Sequence, residues 1–177
     1  MKQITLLFSL AFMSGCSDIY ADLEVAFEVK GQPAESKQLE TKTFSVSSLN
    51  RKGIATYGDI ATILISSNGI YLDTGIPLMK SVLLPTNEVA GCSMTCFGTD
   101  DQHVDLLIPK TGTDLMIQRS KVLLDWCWEN KKPMFSGKSK REWRYNKVSL
   151  PPASEFMEQL SDRKKYDEQR KQSCLGY

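Results

Sequence analysis

The sequence predicts an α+β fold: an antiparallel β-sheet covered by a helix, with a second helix at the C-terminal end. Three observations predict it. Strand-like patterns crowd residues 23–117, helical spacing appears only from about residue 120, and two turn signals join neighbouring strand patterns into hairpins.

The elements follow in chain order. Leu23-Glu24-Val25-Ala26-Phe27-Glu28-Val29 alternates apolar and polar residues, which predicts a half-buried strand. Residues 31–42 are polar, contain Pro33 and predict a loop, and 43–49 predicts a short strand. Ile60-Ala61-Thr62-Ile63-Leu64-Ile65 is continuous and rich in β-branched residues, as in a central strand. Asn68-Gly69 then predicts a hairpin turn into Ile70-Tyr71-Leu72-Asp73-Thr74, because both turn residues accept positive φ. Val82-Leu83-Leu84 predicts a strand ended by Pro85. A second hairpin is expected from His103–Ile108 to Asp114–Ile117 across Pro109-Lys110-Thr111-Gly112.

Ser120 is a candidate cap for a helix reaching Asn130, with Val122, Leu123, Trp126 and Cys127 on one face. Trp126 and Trp128 then point to different sides. Residues 133–140 predict a loop, and 142–150 an edge strand. After Pro151-Pro152, Ser154 is a candidate cap for a helix to Gln172, whose charges run from Glu155 and Glu158 to Arg170 and Lys171. Its apolar face is short (Phe156, Met157, Leu160 and Tyr166), so its second half is expected to project into solvent. Within 60–130, Gly69-Ile70-Tyr71-Leu72, Leu83-Leu84-Pro85 and the Val122–Trp128 helix resemble the PH-like β-roll. That resemblance implies an alternative fold for this span and no ligand site.

The N-terminus predicts an address. Lys2 precedes the ten-residue apolar run Ile4–Met13, too short to span a bilayer, and the pattern is that of an export signal. The following Met13-Ser14-Gly15-Cys16 resembles a bacterial lipobox, with Met13 standing where leucine is usual. The resemblance implies cleavage before Cys16, lipid on Cys16, and a body anchored to a membrane rather than spanning it. Ser17 at the next position fits outer-membrane sorting by the same resemblance. The competing expectation is an ordinary signal cut after Ala21, giving a soluble periplasmic or secreted protein. The domain plan is therefore a signal peptide (1–15), a lipid-anchored tether (16–22), an α+β domain (23–150) and a C-terminal helix and tail (151–177).

The chain has 177 residues and a formal charge of +1, which argues against nucleic acid as a partner. The charge is uneven: residues 16–130 carry a net −6 and residues 131–177 a net +6. With Cys16 lipidated, Cys92, Cys96, Cys127 and Cys174 remain as disulfide candidates, with three possible pairings. Cys92 and Cys96 can bridge each other across a tight turn but not along a strand, where residues four apart lie about 13 Å apart. A bridge tying Cys174 to the body is expected.

Catalytic motifs are sparse. The single histidine, His103, sits near Asp100, Asp101 and Asp105 and reads as a solvated residue at a strand start. The chain has no Gly-x-Ser-x-Gly elbow and no Gly-rich phosphate loop. Cys92, Cys96, His103 and Cys127 have a chemistry that suits zinc, but an exported chain favours disulfides among them. No catalytic residue, metal ligand or cofactor is assigned. Lys138, Lys140, Arg141, Trp143, Arg144, Tyr145 and Lys147 interleave cations with aromatics. They are expected on an edge strand that uses charge to block strand-to-strand pairing. The functional alternative is contact with lipid headgroups, anionic glycan or a partner protein, of which the partner protein is the expected one. The expected function is a non-enzymatic, lipid-anchored envelope protein that binds a partner protein in the periplasm. The alternatives are a soluble ligand or metal binder and an enzyme of unrecognised type.

Overall fold

The computed structural model of the chain describes residues 17–97, 101–118 and 121–175, with only the backbone at 17–18, 96–97, 101–102 and 172–175. The signal segment and Cys16 lie outside these residues. The fold is α+β: two antiparallel sheets and five helices among the described residues.

In chain order the elements are α1 (Ser17–Phe27), β1 (Lys37–Gln38), β2 (Phe44–Ser48), β3 (Ile54–Tyr57), β4 (Thr62–Ser66), β5 (Gly69–Asp73), β6 (Val82–Pro85), β7 (Gly91–Phe97), β8 (Asp101–Ile108) and β9 (Thr113–Gln118). Then come α2 (Lys121–Glu129), α3 (Gly137–Asn146), α4 (Met157–Ser161) and α5 (Arg163–Leu175). One sheet has the order β1-β4-β5-β6 and the other β3-β2-β9-β8-β7.

Both predicted hairpins form. Ser66 pairs with Gly69, and Ile108 with Thr113. The first turn is shifted by one residue: Ser67-Asn68 make the bend and Gly69 opens β5. Gly69 is required there, because a Cβ would lie 2.0 Å from the Leu84 carbonyl oxygen. Within 60–130 the strands fall into two sheets followed by α2. However, β1, β2 and β3 complete those sheets from outside that span, so it is not a unit in itself.

The core fills the space between the sheets. Ile63, Ile65, Ile70, Leu72, Val82 and Leu84 line one sheet, and Val46, Leu115, Ile117, Val104, Leu106 and Met94 the other. Helices α1 and α2 close opposite ends of the first sheet. The Tyr20 hydroxyl donates to the Leu72 carbonyl (3.4 Å) at one end, and Trp126 Nε1 donates to the Ser66 carbonyl (3.2 Å) at the hairpin end.

Several expectations are corrected. The strand at 23–29 is helix α1. Ile19, Tyr20, Leu23 and Phe27 recur at helical spacing and are all buried, and only Glu28 makes a strand-like bridge, to Val82. The stretch 16–22 is accordingly helical from Ser17, and Ile19 and Tyr20 belong to the core rather than to a tether. The edge strand at 142–150 is replaced by helix α3, with the backbone after it irregular. The long C-terminal helix is broken at Asp162, whose Oδ1 accepts from the Lys164 amide (2.9 Å) and starts α5 afresh. Nor does the second half project into solvent. Helix α5 packs along β7, and Tyr166 is 1 % exposed with its ring 5.3 Å from that of Trp128.

The Gly91–Gly98 stretch is strand β7 as far as Phe97, not a turn, so Cys92 and Cys96 do not bridge each other. Cys92 bonds instead to Cys127, tying β7 to α2. The bridge takes two of the four residues considered for zinc. Cys96 lies in β7 and Cys174 in α5, both with side chains outside the described residues.

Candidate functional site around helix α3

The site begins with an unusual sheet face. Strand alternation puts Ser45 and Ser47 (β2), Asp114 and Met116 (β9), Asp105 and Leu107 (β8), and Ser93 and Thr95 (β7) on the side of the second sheet away from the main core. A face so polar would ordinarily meet water. Here residues 133–146 cover it.

The covering segment is held at both ends. It runs alongside β7, with the Cys92 amide donating to the Pro133 carbonyl (2.9 Å) and the Phe135 amide to the Cys92 carbonyl (2.8 Å). That approach needs Gly91, since a Cβ there would lie 2.3 Å from the Phe135 ring. Ser136 then caps α3, its Oγ accepting from the Ser139 amide (3.1 Å). Lys147 ends the helix in the left-handed region (φ 55°). Trp143 faces inward with Leu107 and Phe135 as a second small apolar cluster.

Lys140, one turn before Trp143, also faces inward. Its Nζ lies 2.8 Å from Asp105 Oδ2, 3.2 Å from Asp114 Oδ2 and 2.7 Å from Thr95 Oγ1. Thr95 Oγ1 in turn lies 2.7 Å from Asp105 Oδ2. All four residues are buried. Arg144 Nη1 approaches Asp114 Oδ2 at 3.6 Å from the rim, so two cations face two carboxylates. Burial, with the nearby Asp114 charge, raises the Asp105 carboxyl to about 7 against the opposing pull of Lys140 and Thr95.

The predicted partner-contact residues therefore divide. Lys140 and Trp143 are buried and make no surface, because a helix turns every third or fourth residue inward where a strand would have turned every second. Lys138, Arg141 and Tyr145 are exposed, and Arg144 is partly so. Lys138 pairs with Glu142 across one helical turn (3.9 Å). Arg141, Arg144 and Tyr145 join Ile54, Thr95, Met116 and Lys140 around a cavity of about 360 Å³ beside strand β3.

His103 is not at a strand start. It stands inside β8, opposite Thr95 and Gln118, and is only partly exposed. Among the described residues, no group of three or more His, Cys, Asp or Glu side chains is arranged to hold a metal ion. The buried Asp105–Asp114–Lys140 cluster escaped sequence reasoning. Its signal was an aspartate followed by leucine within each strand of the second hairpin, in Val104-Asp105-Leu106 and Thr113-Asp114-Leu115.

At the other end of the body, β1 and α2 flank an open groove of about 560 Å³, whose lining includes Glu35, Lys37, Ser66, Asp125, Trp126 and Glu129. No protein-family model matches the chain, and comparison with the curated proteins finds no match.

Proposed function

We propose that the protein is a non-enzymatic, lipid-anchored envelope protein, attached through Cys16 to the outer membrane and facing the periplasm, where its body binds a partner protein. One observation carries the anchor: helix α1 starts at Ser17, and Ile19 and Tyr20 are 3 % and 0 % exposed. A cut after Ala21 would strip both from the core, including the Tyr20 ring, whose centroid lies 5.3 Å from that of Tyr57 and 6.2 Å from that of Phe44. A cut before Cys16 leaves every described residue of α1 in place. That asymmetry favours the lipobox over the ordinary signal and hence the anchored over the soluble form.

The partner is assigned to the α2 end, which α1 leaves turned away from the membrane. The groove there is lined by Glu35, Asp125 and Glu129 with Lys37. Asp125 is paired with Lys121 and Arg163, so Glu35 and Glu129 are the carboxylates that suit a basic surface on the partner. The α3 residues first considered for this role lie at the α1 side instead. The buried cluster supports a structural reading of its charges, since Lys140 is spent on two carboxylates inside the fold.

The test is in two parts. Cys16→Ser should abolish incorporation of labelled fatty acid. In-cell cross-linking should then yield a discrete adduct that Glu35→Lys with Glu129→Lys removes. An adduct unaffected by that pair rejects the groove as the partner's place.

A further inference from the structure

The α1 side of the body carries a mixed basic and apolar surface that the partner groove leaves unused. Its elements are tied together by contacts. Arg51 in the β2–β3 turn pairs with Asp22 of α1 (3.1 Å), and the Ile19 side chain reaches within 3.9 Å of the Cβ position at Gly53. Next in the chain, Ile54 lines one cavity with Arg141, Arg144 and Tyr145. Leu49 and Asn50 line another with Lys147 and Val148. The first turn of α1, the β2–β3 turn and the C-terminal half of α3 are therefore neighbours.

The chemistry of this surface is specific. Lys138, Arg141, Arg144 and Lys147 of the α3 segment join Arg51 and Lys52, and the acids among them are Asp22, Glu142 and the buried Asp114. Positive charge is in excess. Three large apolar side chains stand out of the same surface: Ile54 at 51 %, Tyr145 at 68 % and Val148 at 51 % exposure. A tyrosine between cations and aliphatic side chains is the composition that settles at the headgroup level of a bilayer.

We infer that this face, formed by the 50–54 turn and the 141–148 end of α3, docks on an anionic phospholipid surface. The inference rests on the proposed anchor, since Cys16 would stand one residue before α1 and leave no tether to swing the body away. Arg51, Lys52, Arg141, Arg144 and Lys147 meet lipid phosphates, while Ile54, Tyr145 and Val148 enter the interface. The lipid chain and this face then fix the orientation together, with the α2 groove turned to the periplasm. Each cation near an anionic leaflet contributes about fivefold to partitioning, so reversing two of them is a large effect.

The experiment uses the protein purified from its native membrane, its lipid content first read by mass. It is reconstituted into phosphatidylcholine vesicles with or without phosphatidylglycerol, and amide exchange is followed. The face predicts slower exchange at 50–54 and 141–148 only with phosphatidylglycerol, no change at 121–129, and loss of the effect in high salt and in Arg141→Glu with Lys147→Glu. Equal exchange in the two vesicle types overturns it. So does protection of the same segments that needs an added protein fraction and not the anionic lipid, which would make the face a protein contact. A mass without lipid rejects the anchor instead, and co-sedimentation of that unlipidated protein with the same vesicles then decides the face separately.

Discussion

Lys140 of α3 and Asp105 of β8 meet at 2.8 Å inside the protein, 3 % and 0 % exposed at the side chain, and the pair decides how α3 sits on its sheet. Asp114 adds a second carboxylate 3.2 Å from the same ammonium. Removing the ammonium leaves the buried Asp105 and Asp114 carboxyls without their shared cation. Lys140→Met is therefore expected to cost about 3–5 kcal/mol of stability. Arg141→Glu, on the exposed side of the same helix, should stay within about 0.5 kcal/mol. Urea denaturation of the two variants checks the contrast, and equal losses would contradict the inward placement of Lys140.

The pH dependence has a definite sign. Folding raises the Asp105 carboxyl to about 7, from an ordinary value of about 4 in the unfolded chain. Between those values the folded protein holds a proton that the unfolded chain has released. This group's contribution to stability is thus fully present below about pH 4 and is lost as the pH rises towards 7. Melting temperatures of the wild type against Asp105→Asn, measured from pH 5 to 8, should show this decline in the wild type and a flatter profile in the variant. Parallel profiles would reject the shift.

The Cys92–Cys127 bond closes a 35-residue separation and ties β7 to α2. Replacing both cysteines with serine should destabilise by about 3–4 kcal/mol through the freed unfolded chain. β7 also packs against α5, and those two elements carry Cys96 and Cys174. Reduction of the purified protein is expected to add four hydrogens, two for each bridge. A gain of two would leave Cys96 and Cys174 unbridged.

Tyr20 should behave as a core residue although it lies only four positions after Cys16. Its ring packs with Phe44 and Tyr57, and its hydroxyl reaches the Leu72 carbonyl. Tyr20→Ala is expected to cost about 3–5 kcal/mol in chemical denaturation. A loss below about 1 kcal/mol would mean that α1 is dispensable to the body.

The two hairpins were legible because their signals are local: strand-forming residues on each side of a short turn. Helix α1 was not, because its apolar positions 19, 20, 23 and 27 straddle the boundary drawn between tether and domain, and read from Leu23 onward the remainder alternates like a strand. Helix α3 has only one large buried apolar residue, Trp143, so it offers no apolar stripe from which to read a period. The buried cluster was hidden for a related reason. Asp105 and Asp114 occupy the polar positions of alternating strands, which usually face water, and only the tertiary covering by α3 makes them interior. Pairing of Cys92 with Cys127 joins a strand to a helix 35 residues away, and spacing alone leaves all three pairings open.

The most direct test of the account is the intact mass of the mature protein taken from its native membrane. The account predicts a chain that begins at Cys16, carries a diacyl or triacyl increment, and loses that increment in Cys16→Ser. An unlipidated chain beginning at Asp22 would contradict it, since a body without Ile19 and Tyr20 could not hold the core that helix α1 completes.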